Sequence, residues 1–568
     1  MGKYIHLFDT ASEFNEAYNG DKYLEPWVSL TEEGEQVKYN KTYREKMYGT
    51  PLTFVVNSPG NICWKTSASD FQNVVEYSKN DGEWTTITAS TEGVLIPVVA
   101  GDKVAFRGTN ASYHYNERKN FFSGTTCEFD LEGNIMSMIN KDNFATLKTF
   151  TSQANFRYFF QDCTGLASAT YLILPATVAT TRCYQLMFQG CTSLVDVPSL
   201  PDNLTLDYQC LSRMYDGCTS LRSVPLDYLP YETLSRGCYT GMFQGCTQLE
   251  AAPMLNATSI PEAAYDTMFK GCTSLSVTQD VLPATTVALY GYSGMFEGCT
   301  SLTKAPNILA TEIGRYAFKK MFASCTNLVT GPEELYSSSV PDAAYNSMFI
   351  SCTSLEKAPA MHITSIGGDA CWAVFNGCTS LNDVSGIEIN LDQPGGNAMR
   401  QMFMNCSNLT ATPYVSMNSA STSCMYEMFR GCSRLADASR ISMPTVLAAN
   451  CCLSMFNGCS SLTVAPELPA LTLATSCYNS MFDHCTSLTT APELPAETLV
   501  DGCYFNMFKD CSSLNYIKCL ATDASASQCT SNWVFRIPST GTFVKNPNMS
   551  SWTTGNDGIP TNWTVQDA

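Results

Sequence analysis

Histidine is scarce in this 568-residue chain: only His6, His114, His362 and His484 occur, and they lie far apart in sequence. No Ser/His/Asp set, phosphate-cradling glycine loop or paired-carboxylate motif stands out. An acid pair among the plentiful carboxylates stays open. Positive charge is also short, 33 Lys and Arg against 52 Asp and Glu, for a net charge of −19. A duplex phosphate backbone repels such a chain, and no Lys/Arg-rich run offsets that, so no nucleic acid is expected as a partner. Long apolar runs are missing as well. Nowhere do about eighteen apolar residues follow one another, which excludes a membrane-inserted helix. The N-terminus has no apolar stretch of the secretory kind, because Asp9, Glu13, Asn15 and Glu16 interrupt it. Gly2 is followed by His at the sixth residue rather than Ser or Thr, which excludes a myristoylation start.

What is abundant is internal repetition. The block Cys-Tyr-x-x-Met-Phe-x-Gly-Cys-Thr-Ser-Leu-x-x-x-Pro recurs in fourteen copies, anchored on Cys163, Cys191, Cys218, Cys246, Cys272, Cys299, Cys325, Cys352, Cys378, Cys406, Cys432, Cys459, Cys485 and Cys511. The mean period, (511 − 163)/13, is near 26.8 residues, and every step is 26, 27 or 28. Leu follows each anchor by three residues. Phe precedes it by three, except at Tyr215. Units of this kind cannot bury a face alone and must stack.

Ahead of each anchor, apolar residues fall at i, i+1, i+4 and i+5, as at Cys503, Tyr504, Met507 and Phe508. This spacing predicts a short helix or tight turn with one inner face. The residue before the anchor is Gly in eight copies and otherwise Asp162, Ser324, Ser351, Asn405, His484 or Asp510, types suited to left-handed backbone that closes a helix. His484 therefore reads as a local backbone residue rather than a catalytic one. The Leu-x-x-Ala/Val-Pro-x-Leu stretch that follows predicts a strand kept short by proline, with pairing mostly around residues such as Leu488.

The Met-Phe-x-Gly-Cys-Thr-Ser-Leu block resembles the BspA-like class of leucine-rich repeats, found in surface proteins of gut Bacteroides-type bacteria and in their phages, crAss-like ones included. The resemblance covers roughly residues 150–520. It implies an α/β leucine-rich-repeat solenoid of about fourteen 26–28-residue repeats that presents a binding surface. The expected organisation is an N-terminal attachment segment (1–48), a small β-sandwich domain (49–121), a connector and N-terminal cap (122–150), the solenoid (151–520) and a C-terminal β cap (521–568). The sandwich rests on alternating runs such as Leu52-Thr53-Phe54-Val55-Val56 and Trp84-Thr85-Thr86-Ile87-Thr88. Trp533, Trp552 and Trp563 suit a cap core, with a sugar-binding aromatic patch as the alternative. The segment with Tyr23-Leu24-Glu25-Pro26-Trp27-Val28-Ser29 and Val37-Lys38-Tyr39-Asn40 is similar to the N-terminal segments of structural and tail-associated phage proteins.

Twenty-seven cysteines raise the question of disulfides or metal. Seven of them (Cys183, Cys210, Cys238, Cys424, Cys451, Cys477, Cys503) sit eight residues before an anchor. Elsewhere that place holds Ala264, Gly291, Ala317, Ala344, Ala370 or Ala398 while the anchor stays. A disulfide needs both partners together, so free buried thiols are expected, ahead of scattered disulfides or metal. No catalytic, cofactor or metal residues are assigned. The Met-Phe stripe is read as core rather than a ligand groove. The expected function is non-enzymatic binding, as a phage virion-associated fibre or decoration subunit made in the host cytoplasm. Residues 1–48 would join other virion proteins, and the solenoid would touch a host surface protein or gut glycans. The alternatives are a bacterial cell-surface adhesin or interaction scaffold, and a carbohydrate-active enzyme within residues 1–150. Homo-oligomerisation is left open. The surface expected to bind consists of variable residues after the repeated Leu, such as Val195-Asp196, Glu356-Lys357 and Asn382-Asp383.

Overall fold

The computed structural model describes residues 43–549 and 552–568. His6 and nearly all of the expected attachment segment lie outside these residues. The chain forms two compact units: one runs to Tyr231 and includes residues 251–254, and the other comprises Glu232–Glu250 and Leu255–Ala568.

The run ahead of each anchor is not a helix, and the expected α/β class is corrected to a β-solenoid. Among the described residues, helical backbone is confined to residues 43–47 and to 3-10 turns at Ile135–Met138 and Phe144–Thr146, too short to cross a membrane. The physical reason is a left-handed residue at every fourth position. In the Cys352 turn these are Ala343, Ser347 and Ser351, with φ of 53°, 56° and 61°. The same three places are left-handed in all fourteen copies, whether they hold Gly or residues as bulky as Leu186, Arg213 and Tyr290. A residue at φ > 0 breaks the i→i−4 ladder of an α-helix and turns alternate N–H groups sideways.

Those N–H groups find partners in the next turn. Tyr345, Ser347, Phe349 and Ser351 donate to the carbonyls of Ala370, Trp372, Val374 and Asn376 at 2.8–2.9 Å. The intervening Asn346, Met348, Ile350 and Cys352 donate three residues back, to Ala343, Tyr345, Ser347 and Phe349. Each left-handed non-glycine residue costs about 1 kcal/mol, offset by this ladder and by burial. The pairs at i, i+1, i+4 and i+5 all point inward: Ala344, Tyr345, Met348 and Phe349 are at most 1% exposed. Three of the turns belong to the first unit and eleven to the second, where a fifteenth turn around Trp533 follows.

Beyond each anchor the strands are short, as proline predicts, and most contain two residues. They pair in parallel between successive turns, for example Val281–Leu282 with Asn307–Ile308. Pairing continues past the proline, as Leu494↔Cys519 and Thr498↔Asp523 show, rather than staying near Leu488. Ala305 donates forward to Thr330 and Asn307 donates backward to Asp280. Pro306, which has no N–H, stands where the ladder changes direction.

In the first unit, β1 (Leu52–Val56), β3 (Val74–Lys79), β4 (Thr85–Thr88), β6 (Lys103–Gly108), β9 (Phe129–Asn134) and β10 (Leu166–Ile173) form one sheet. A second sheet holds β2 (Gly60–Thr66), β5 (Val94–Val98), β7 (His114–Tyr115) and β8 (Arg118–Phe121). Strand β9 falls inside the expected connector, yet it pairs antiparallel with β1 and parallel with β10, the strand that follows Cys163. Phe54 packs on Phe106, Phe122 and Phe129 with ring centroids 4.6–5.3 Å apart, and on Phe160 of the first turn at 6.2 Å. The first turn thus shares its core with the two sheets. Its carbonyls at Asn155 and Phe159 accept from Tyr113 and Phe122.

At the other end of the second unit, Thr542–Lys545 pairs in parallel with Tyr516–Cys519 and with Thr564–Asp567. Trp533 is fully buried and donates through Nε1 to Gly558 O, and Trp563 donates to Pro538 O. These two indoles are packed inside, not laid open as a sugar platform.

Candidate functional site

The interior is uniform along the repeats. Phe rings of successive turns stack face to face, from Phe243 to Phe508 in the second unit, with centroids 5.3–5.8 Å apart. All 27 cysteines are free and buried. Twelve of the anchor thiols donate to the carbonyl of the Phe one turn earlier, as Cys352 does to Phe322 O at 3.0 Å and Cys378 to Phe349 O at 3.1 Å. That carbonyl also takes the N–H of its own anchor. The anchor cysteine is therefore a small apolar group with a directed S–H donor, a role that residue type alone did not reveal. Burial pushes Cys325, Cys378 and Cys432 up to about 12, so these sulfurs stay protonated and unreactive.

The expected surface residues fall on outward-facing ladder positions. Lys357 bridges to Thr330 on one side and Asp383 on the other, and its Nζ lies 3.7 Å from the Asp383 carboxylate. Glu356-Lys357 and Asn382-Asp383 are thus neighbours in adjacent turns of the second unit. Val195-Asp196 belongs to the first unit, where Val195 is 47% exposed and Asp196 accepts from Ser168 and Ala169. Other exposed aliphatics, Val277, Val329, Val446, Val464 and Leu471, were not distinguishable by sequence from core residues of the same type.

Of the histidines, His362 pairs with Glu388 across adjacent turns at 3.2 Å. His484 has φ of +63° and donates its N–H to Lys509 O, in keeping with a backbone role. Its ring also meets Asp483 at 2.7 Å and Asp510 at 3.5 Å. Three potential ligand atoms there lie within 4.8 Å of one another. Lys509 and Arg536 contact the same carboxylates, so the group is an internally matched ion-pair network.

His114 is different. It sits at 7% exposure in a cleft of about 570 Å³ in the first unit, bounded by the β7–β8 hairpin, the loop at 152–154 and the first two turns. Arg157 Nη1 lies 3.1 Å from His114 Nε2 and 3.3 Å from Glu117 Oε1, and Nη2 donates to Tyr158 Oη. Because arginine only donates, Nε2 must be the acceptor and the ring is the neutral Nδ1–H tautomer. Burial, then the Arg157 charge, hold His114 down to about 4. The unfolded chain, with an ordinary value near 6.5, binds that proton between pH 6.5 and 4 while the folded chain does not. Stability is therefore complete above pH 6.5 and falls as pH drops toward 4. His114→Gln removes that component, on the order of 2 kcal/mol. Urea melts at pH 7 and pH 4.5 should show a smaller loss for the variant, and equal losses would refute the assignment.

Residues 369–494 match a family described as Mycoplasma protein of unknown function, DUF285. No curated protein matches the chain. Among solved structures, a leucine-rich repeat protein from Bacteroides ovatus is 20% identical, with 69% of this chain and 94% of that one covered and a TM-score of 0.37. A leucine rich cell surface protein from Faecalibacterium prausnitzii is 17% identical, with 60% and 83% covered and a TM-score of 0.26. A leucine-rich-repeat protein from Leptospira interrogans is 8% identical, with 65% and 88% covered and a TM-score of 0.20. The chain is a repeat solenoid, and its structural neighbours include leucine-rich-repeat proteins from Bacteroides and Faecalibacterium.

Proposed function

We propose that this chain is a non-enzymatic binding protein, a phage virion-associated fibre or decoration subunit whose solenoid contacts host surface protein or gut glycans. In this reading the two sheets around Phe54 form a small sandwich domain, the last residues cap the final turn, and residues 1–48 attach to the particle. The observation that carries the binding role is the contrast between the two sides of each turn. The inner places repeat Met, Phe, Cys and Leu at close to zero exposure. One outer row changes freely, reading Lys304, Thr330, Lys357 and Asp383 through successive turns. A fixed interior under a variable surface is how repeat arrays carry recognition. The free thiols support synthesis in a reducing compartment with release by lysis.

Mass spectrometry of purified particles beside host membrane fractions tests the virion part, with the chain expected in particles. Its absence there, with recovery from membranes, would replace this reading with a bacterial cell-surface adhesin. On a glycan array the full chain is expected to retain ligands and release no cleaved product; bond cleavage would overturn the non-enzymatic reading.

A further inference from the structure

The cleft around His114 gathers cations about a buried arginine in an otherwise acidic chain. Arg157 is 9% exposed, and its guanidinium uses three of its five N–H donors, on His114, Glu117 and Tyr158. Its Nε is buried and has no partner. Among the described residues, the carboxylate ion-paired with it belongs to Glu117, whose side chain is 76% exposed. Glu117 stands on a hairpin tip where it and Asn116 are both left-handed, at φ of 64° and 44°. A buried cation is thus matched by a carboxylate held out in solvent, a weak pairing. Arg182 faces the same cleft, with Nε on Gln209 Oε1. His114 contributes no positive charge at neutral pH, but its Nδ1–H is a donor.

We propose that this cleft is a binding subsite for a carboxylate-bearing sugar residue of a glycan, with the ligand's carboxylate displacing Glu117 from Arg157 and also engaging Arg182. Glu117 then acts as a built-in placeholder. The saccharide class follows from the rest of the lining. Phe71 and the 59%-exposed Tyr115, with ring centroids 6.4 Å apart, offer apolar faces, and Ser112, Ser152 and Thr181 line the same cleft. Apolar walls with a few convergent polar groups are the usual make-up of a small-molecule site, and arginine forks suit a planar carboxylate. The inference rests on the binding-protein reading above, but places a defined subsite outside the variable outer rows.

Calorimetric titration of the full chain with methyl β-glucuronide, and with methyl β-glucoside as the neutral match, tests it. The glucuronide is expected to bind and the glucoside to bind at least 10-fold more weakly. Glu117→Gln, which removes the competing carboxylate without touching the core, should tighten glucuronide binding about 3-fold or more. Arg182→Gln should weaken it at least 5-fold, with thermal melting unchanged in both variants. Equal binding of the two sugars, or a Glu117→Gln chain no tighter than the parent, overturns the proposal. A hexaglutamate peptide that binds more tightly than the glucuronide also overturns it, in favour of an acidic protein partner. Particle fractionation and glycan-array results leave these outcomes untouched, so the two readings fail separately.

Discussion

Phe349→Ala is expected to lower the free energy of unfolding by about 3–5 kcal/mol. Phe349 is fully buried, and its ring lies 5.3 Å from Phe322 and 5.6 Å from Phe375, within 9° of parallel to both. Truncation leaves a ring-sized void between two turns that cannot close, because the ladder bonds from Tyr345, Ser347 and Ser351 fix the spacing. A turn contacts only its neighbours, so the damage should be local. Hydrogen exchange should quicken in the turns anchored at Cys325, Cys352 and Cys378 before those near Cys485. Val329→Ala, at a 40% exposed place in the same region, should change stability by less than about 0.5 kcal/mol. Urea unfolding of the pair reads both. A loss below about 1 kcal/mol for Phe349→Ala would mean that the stack is not what holds adjacent turns together.

The second large effect is chemical. A thiol reagent at pH 8 is expected to modify almost none of the 27 cysteines in the native chain and all of them in guanidinium without reductant. Two causes act together. Every one of these side chains is buried, and burial raises Cys325, Cys378 and Cys432 from an ordinary 9 up to about 12, cutting the thiolate fraction roughly a thousandfold. Fewer than half reacting under denaturing conditions would demonstrate disulfides and contradict the free-thiol interior. Rapid modification of the native chain would instead show that the turns open readily.

The stacking repeat could be read from the primary structure because its inner places tolerate so little. A thiol small enough for the interior that also donates to the preceding Phe carbonyl leaves few substitutes, and the anchor register is therefore unbroken. The left-handed place before each anchor was legible too, since Gly, Asn and Asp dominate it. The other two left-handed places were not. Leu186, Arg213, Tyr290 and Ala373 occupy them, residues whose intrinsic preference is right-handed. Apolar pairs repeating at four residues are compatible locally with a helix, so the run before the anchor reads as one. The difference lies in where alternate N–H groups go, a property of the neighbouring turn rather than of the segment. The cleft was hidden for a related reason. His114, Glu117, Arg157 and Arg182 span three structural elements and form no motif, and His114 alone looks like an isolated residue.

The forward-pointing N–H groups give the stack of coils a direction. In the run ahead of each anchor, every coil hands protons to the one after it and lends oxygens to the one before, so along that side an uncovered front end would bare donors and an uncovered rear end acceptors. Such ends are complementary, and two bare copies could extend one another head to tail without limit. In this chain the rear carbonyls of Asn155 and Phe159 are taken by Tyr113 and Phe122, while at the front Val534 donates to Asn556 O and Asn532 to the Asp557 carboxylate. The flanking segments thus do more than finish a core: they keep a self-templating surface from becoming a filament.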